Sequence, residues 1–386
     1  MSFRKAMLAA AAVIAFPCFA HAEQGVTPNS VAFAQVAAFE GPAAALGQGM
    51  RLGITAAFEE ANAAGGVHGR TLTLDSMDDG YEPDRSAALV QSVVDGNNHI
   101  GLIGAVGTPT SSATQPIATA ANMPFVGPFT GAGFLRDASH GNIFNVRATY
   151  FAETEAWIEY LVDQQGMSSI ALLYQDDGFG RVGLAGVTAA LEKRGMTLAA
   201  EGTYTRNTTA VKKALLSIRK AKPDAVVMVG AYKPVAEFIK LSRKMKFNPT
   251  FVNISFVGSD ALAQELGDAG EGVIISQVVP FPWDVSIPVV AQYTEALKAV
   301  DAEAKPGFVS LEGYIVGRLA IEALDAAGSD LTRENFLAAL SGLTTVDLGG
   351  VTMVYGADDN QGMDDVFLTR ITADGGFEPI VPGGGS

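Results

Sequence analysis

Short apolar runs alternate with helix-period segments along almost the whole of this 386-residue chain, and that alternation predicts an α/β protein built on parallel sheets. A second observation sharpens the expectation. One alternating series runs to about residue 146 and another restarts near 153, which predicts two α/β domains. The length suffices for two hydrophobic cores of ordinary size.

Each element has its own signal. Val31-Ala32-Phe33-Ala34 is the first apolar run and reads as a buried strand. After Gly41-Pro42, the residues Met50, Ile54, Phe58 and Ala61 recur at helical spacing and share one face. Gly65-Gly66 ends that helix, because glycine adopts the left-handed closing conformation readily. Thr71-Leu72-Thr73-Leu74 is a second strand; a helix over about 84–94 leads to a third at Ile100-Gly101-Leu102-Ile103. A helix over about 111–121 leads to Phe125-Val126, and 143–146 is a fifth strand. In the second series, helices over 153–164, 182–193, 210–221 and 234–245 alternate with strands at 170–174, near 198–201, at 225–229, 250–253 and 272–275. Helices over 288–300, 309–327 and 333–340 follow, the first opened by Pro288, whose missing N–H costs nothing at a first helical position. The end is β-rich, at 350–354 and 366–371.

The N-terminus carries Arg4 and Lys5, an apolar core from Met7 to about Phe16, and Ala20-His21-Ala22 before Glu23. This is the layout of a secretory signal peptide over 1–22, and its core is too short to span a bilayer. A buried N-terminal helix would explain neither the flanking charges nor the small-x-small site. A lipoprotein anchor at Cys18 is disfavoured by Ala15-Phe16-Pro17 before it. The expectation is a protein exported to the periplasm. Cleavage would remove the one cysteine and two cations, so the mature charge would be 24 minus 41, or −17. That balance argues against nucleic acid or an anionic membrane surface as partner. Gly383-Gly384-Gly385-Ser386 reads as part of a flexible tail over 381–386.

Several motifs invite chemistry. Gly178-Phe179-Gly180-Arg181-Val182-Gly183 matches G-x-G-x-x-G between a strand and a helix, with Glu201 where a ribose-binding acid would stand. Asp176 and Asp177 before the glycines would repel a pyrophosphate, and an exported chain lacks a ready nicotinamide pool; the alternative is a glycine-lined turn that lets a ligand approach backbone. His68, His99 and His140 are isolated, and neither H-E-x-x-H nor G-x-S-x-G occurs. No metal, cofactor or catalytic set is expected. Asp78-Asp79 and Asp176-Asp177 read as caps or turn residues. Gly107-Thr108-Pro109-Thr110-Ser111-Ser112 opens a helix after a strand, which suits a carboxylate ligand or simple N-capping. Gly127-Pro128-Phe129-Thr130-Gly131-Ala132 follows the next strand. Both loops lie at strand carboxyl ends, where open α/β sheets bind ligands.

With Phe39-Glu40-Gly41-Pro42, Asp78-Asp79-Gly80-Tyr81-Glu82-Pro83, these two loops, the stretch 174–180, Gly230-Ala231-Tyr232 and Ser310-Leu311-Glu312-Gly313-Tyr314 in order, the chain resembles the type I periplasmic solute-binding proteins of ABC transporters, in their branched-chain amino acid group. The resemblance implies two Rossmann-like lobes joined by a three-crossover hinge, with crossovers near Arg147, Val278 and Gly349. The first lobe would hold 23–146 and 279–348, the second 147–278 and 349–380. It implies a ligand held by Thr108, with Thr110 and Ser111 beside it, by Phe129, Thr130 and Gly131, and by the closing aromatics Tyr150, Phe179 and Tyr232. The family's acid for a ligand ammonium falls on Ser255, and a pocket tryptophan on Leu46; a small shift in alignment would bring Asp260 into the acid's place. The expected ligand is therefore a small amino-acid-like or carboxylate-bearing solute, aromatic acids included, but not a plain aliphatic amino acid. The implied partner is an ABC permease of the inner membrane, served by a monomer. A sensory binding protein, or a secreted enzyme on the same fold, are the other classes the sequence allows.

The leader reading carries its own test. Intact-mass analysis of protein exported by a bacterial host should give a chain starting at Glu23 without lipid; a diacylglycerol adduct on Cys18 would overturn it.

Overall fold

The computed structural model describes residues 24–137 and 139–380. The leader over 1–22, Cys18, Glu23 and the tail over 381–386 lie outside the described residues.

The first sheet is parallel throughout, in the order β2-β1-β3-β4-β5. Its strands are β1 (Ser30–Ala37), β2 (Thr71–Asp78), β3 (Gly101–Ile103), β4 (Phe125–Val126) and β5 (Ile143–Phe144), connected through α1 (Ala44–Ala63), α2 (Pro83–Gly96) and α3 (Thr108–Ala120). Strand β2, at the edge of the sheet, runs four residues beyond the apolar alternation that announced it, because there it carries exposed Asp75 and half-buried Ser76 and Met77. A passage at 145–149 leads to α4 (Tyr150–Ile158), which continues as a π-helical turn over Glu159–Gln164. It starts three residues earlier than predicted, since Thr149 Oγ1 accepts from the Ala152 N–H at 3.1 Å and caps it.

The second sheet has the order β14-β13-β10-β9-β8-β6-β7. It is built from β6 (Ile170–Gln175), α5 (Gly178–Glu192), β7 (Ala200–Tyr204), α6 (Lys212–Ala221), β8 (Ala225–Val229), α7 (Tyr232–Lys244), β9 (Thr250–Asn253), α8 (Ser259–Leu266) and β10 (Ile274–Gln277). Strands β6 to β10 pair in parallel. The chain then returns through 278–287 to α9 (Pro288–Val300), α10 (Phe308–Ala327) and α11 (Arg333–Gly342). A hairpin of β11 (Thr345–Asp347) and β12 (Thr352–Val354) follows, and β13 (Phe367–Ile371) and β14 (Phe377–Pro379) close the second sheet antiparallel. Helix α8 and strands β11 and β14 are too short to show a period in sequence.

The first sheet is anchored by the crossing of α1 and α10. A Cβ on Gly53 would stand 1.9 Å from the Ser310 carbonyl oxygen, and one on Gly313 2.4 Å from that of Met50, so glycine at both positions lets the two backbones touch. The third passage between the sheets is 355–366, later than the position near Gly349 suggested by the sequence. Gly349 instead sits in the β11–β12 turn, its carbonyl accepting from the Val289 N–H at 3.0 Å. This passage runs beside the first one. Asn145 N–H donates to the Asn360 carbonyl at 2.8 Å, and the N–H groups of Gly362 and Met363 donate back to Asn145 and Val146 at 2.9 Å each. None of the described helices is long and apolar enough to cross a membrane.

The glycine motif at 178–183 is not an open turn. It lies inside the first two turns of α5, where the Asp177 side chain accepts from the Phe179 N–H at 3.0 Å and puts a carboxylate where a pyrophosphate would have to lie. A Cβ on Gly180 would meet the Gln175 carbonyl oxygen at 1.9 Å, and one on Gly183 the Val229 side chain at 2.4 Å. These two glycines allow a helix to sit on a sheet, and neither presents backbone to a ligand. Replacing Gly183 by Ala should therefore destabilise the protein by about 1–3 kcal/mol, the usual cost of overpacking. Urea unfolding checks this, and an unchanged midpoint would show that α5 has room to spare.

Candidate functional site

The carboxyl ends of the two parallel sheets face each other, and the loops that leave them meet in a cleft. From the first sheet come the loops after β2, β3, β4 and β5; from the second come those after β6, β8, β9 and β10. Five rings fill its centre. Phe256, just after β9, lies 4.7 Å from Phe179, 5.4 Å from Phe129 and 6.0 Å from Tyr81, centre to centre. Tyr150 lies 5.4 Å from Phe179. All five are buried. Phe129, Tyr150 and Phe179 were expected here; Tyr81 and the hub Phe256 were not singled out.

Tyr81 reaches the centre through unusual backbone. Its φ is +61°, held by Asp79 Oδ1, which accepts from the Tyr81 N–H at 2.8 Å. Gly107, with φ +106°, lies so close beneath that ring that a Cβ would stand 2.3 Å from it. Gly131 serves Tyr150 in the same way, since a Cβ there would stand 2.7 Å from its ring.

Beneath the rings lies a knot of buried charge. The Arg147 guanidinium stacks on Phe129 at 4.3 Å and pairs with Glu312, Nε to Oε1 at 2.9 Å and Nη2 to Oε2 at 3.1 Å. The same Nη2 donates to Ser255 Oγ at 2.9 Å. Ser255 in turn donates from Oγ and from its backbone N–H to Glu153, at 2.9 Å each, and Ser276 Oγ donates to Glu153 at 2.5 Å. Burial works against the charge on Arg147, but Glu312, Tyr150 and Glu153 together outweigh it and hold the guanidinium more firmly protonated than usual. Arg136 stands behind, donating to the carbonyls of Thr130, Ala132 and Arg147 at 2.9–3.0 Å and to Gln361 Oε1 at 2.9 Å. Burial, with repulsion from Arg147, lowers its pKa to about 9. Ser255 is thus not a vacancy left by a missing acid: it holds the acid Glu153 in place. A cavity of about 10 Å³ is lined by Arg147, Phe129, Gln277 and Val309.

The hydroxyl loop divides. Thr108 Oγ1 and Thr130 Oγ1 share a hydrogen bond of 2.7 Å at the cleft edge of α3. Thr110 turns away, donating to the carbonyls of Val106 at 2.5 Å and Gly107 at 3.0 Å. It and Ser111 line a small pocket with Asp79, Ser86 and Thr114 between α2, α3 and the sheet, so they are not gathered with the cleft rings. Tyr232 stands on one flank, its hydroxyl accepting from the Ala45 N–H at 3.4 Å, near where Leu46 packs on Gly258. Asp260 lines a larger flank cavity of about 700 Å³, apart from the rings. At the opposite rim, Arg206 pairs with Glu82 at 2.8 Å and Asp177 at 3.1 Å, and Asn207 Nδ2 donates to Gly80 O at 3.0 Å and Glu82 Oε1 at 2.7 Å. The bonds to Glu82 and Gly80 cross the cleft and hold its two sides together, while that to Asp177 steadies Arg206 on its own side.

No group of three or more His, Cys, Asp or Glu among the described residues could hold a metal ion. His99 is paired with Asp75 at 2.8 Å. Of the paired acids, Asp78 caps backbone N–H groups of Phe39, Glu40 and Gly80, and Asp176 pairs with Arg181 at 3.1 Å.

Two α/β units facing each other across an aromatic cleft, tied by three adjacent passages, define a bilobal ligand-binding fold. The chain belongs to the periplasmic binding protein family, whose model matches residues 30–376. The solved structure of a possible leucine/isoleucine/valine-binding protein from Rhodopirellula baltica is similar over 94% of this chain and 98% of its own, with TM-score 0.86 and 37% identity. Leu/Ile/Val-binding protein homolog 7 of Brucella abortus is 24% identical over 336 residues, covering 82% of each chain. The Leu/Ile/Val-binding protein of Escherichia coli is 23% identical over 308 residues, covering 79% of this chain and 80% of its own. This family and these relatives make the chain a binding protein of the type I periplasmic fold and not an enzyme.

Asp79 offers a test of the local electrostatics. Burial raises its pKa from 3.8 to about 6, against the bonds it accepts from Tyr81 N–H and Ser86 Oγ. The folded state therefore binds the proton more tightly than the unfolded chain, and Asp79 costs stability as pH rises from about 4 through 6. In Asp79→Asn that cost disappears. The difference in unfolding free energy should move in the variant's favour between pH 4.5 and 7.5, by on the order of 2–3 kcal/mol for a shift of this size. A difference independent of pH would show that Asp79 ionises normally.

Proposed function

We propose that this chain is the solute-capturing protein of a periplasmic ABC importer, and that its two lobes close on a small carboxylate-bearing molecule. The observation that carries the reading is Arg147: a fully buried guanidinium at the floor of an aromatic cleft, with Nη1 left without a hydrogen-bond partner. An orphaned buried donor of this strength is costly unless a ligand or water completes it. The Thr108–Thr130 hydroxyl pair at the start of α3 adds donors at a helix end that favours negative charge. The family and its relatives support transport, and the leader expected over 1–22 supports export. The first lobe is taken as 24–146 with 279–354, the hairpin included, and the second as 147–278 with 367–380; the protein acts as a monomer that docks on an inner-membrane permease.

In this reading the rings part to admit the solute, and the rim contacts of Arg206 and Asn207 re-form on closure, a hinge motion about the three passages. Mass spectrometry of small molecules released by denaturing the purified protein identifies the solute, and small-angle scattering should show a smaller radius of gyration with it bound. The double variant Thr108→Val, Thr130→Val should weaken binding of that solute by about 1–3 kcal/mol. Unchanged affinity would move the site away from α3.

A further inference from the structure

We propose that the solute is a carboxylate without an ammonium group, an apolar organic acid and not an α-amino acid; this rests on the cleft reading above. The argument is one of donors and acceptors. An α-ammonium brings three N–H donors and needs buried acceptors. Both carboxylates beneath the cleft are already engaged. Glu153 accepts at Oε1 from Ser255 Oγ and at Oε2 from Ser255 N–H and Ser276 Oγ. Glu312 presents both oxygens to Arg147. The face of Phe129, which could stabilise a cation, is taken by Arg147 itself.

The free valences are donors. Arg147 Nη1 has no partner. The Tyr150 hydroxyl is buried, which raises its pKa, and the neighbouring Thr130 hydroxyl is near enough to pull that pKa back down but not aligned for a full hydrogen bond. Thr108 and Thr130 spend one hydroxyl hydrogen on each other, leaving the second free. All of these border Phe129 and Thr130. A carboxylate has about four lone-pair sites, which match such a set, and it needs no acceptor in return. The body of the acid would lie among Tyr81, Phe179 and Phe256, which offer apolar faces from both sides of the cleft.

Matched pairs that differ only in the ammonium isolate the question. Calorimetric titration of the mature protein, stripped of bound ligand by unfolding and refolding, would compare 3-phenylpropanoate with phenylalanine, indole-3-propanoate with tryptophan, and 4-methylpentanoate with leucine. The acid is expected to bind at least tenfold more tightly in the pair whose body fits, which is about 1.4 kcal/mol. Equal or tighter binding of the amino acid in that pair would overturn the inference while leaving the cleft reading standing. Binding by no member of any pair would overturn the cleft reading and the inference with it. Tyr150→Phe removes a hydroxyl whose neighbouring protein hydroxyl, that of Thr130, is poorly aligned with it, so the ligand-free melting temperature should change little while acid affinity falls about tenfold. Unchanged acid affinity in that variant would overturn the donor set.

Discussion

Arg147 is buried at the first passage between the lobes, and the cleft depends on its being neutralised there. A guanidinium removed from water costs several kcal/mol unless paired in good geometry. Glu312, from α10, supplies the pair; Ser255 and Glu153 extend it to the ends of β9 and α4. One charge thus ties together the first-sheet helix layer, the hinge and the second sheet. Its stacking on Phe129 then fixes the ring against which the second side closes.

The same arrangement explains how the chain can keep so many polar side chains inside. The aromatic hub keeps water from the ion pair, and the ion pair gives the rings a fixed floor. Arg136 braces the arrangement by gripping the Thr130–Ala132 loop, the first passage and the third at once. The rim contacts, where Arg206 and Asn207 reach Glu82 and Gly80, are partly exposed and their bonds are individually weak, as the proposed closing motion requires.

Much of this was legible in the sequence. Buried parallel strands such as 225–229 read as continuous apolar runs, and α1 showed its period plainly at Met50, Ile54 and Phe58. The loops that meet in the cleft could be picked out because they follow strand carboxyl ends, the usual ligand position in open α/β sheets. Other features had no local signal. Arg147, Glu153 and Glu312 lie more than a hundred residues apart at the extremes, and nothing near any of them announces a charge that only the fold brings together. Phe256 reads as one more apolar residue. Ser255 was taken for an empty acid position because the acid it supports comes from a different helix. Thr110 and Ser111 shared the right loop with Thr108, but the turn of α3 sends successive side chains to different faces. The glycine motif read as a turn open to a ligand rather than a phosphate cradle, and it is neither, because glycines that let a helix approach a sheet have the same spacing.

The central claim is that the Arg147–Glu312 pair is an interdependent unit on which the cleft rests. A double-mutant cycle with Arg147→Met and Glu312→Leu, followed by equilibrium urea unfolding, tests it most directly. Each single variant should lose about 3–5 kcal/mol, because it strands a buried charge, while the double variant should be little worse than either. Additive losses, with a coupling energy within about 0.5 kcal/mol of zero, would contradict the account.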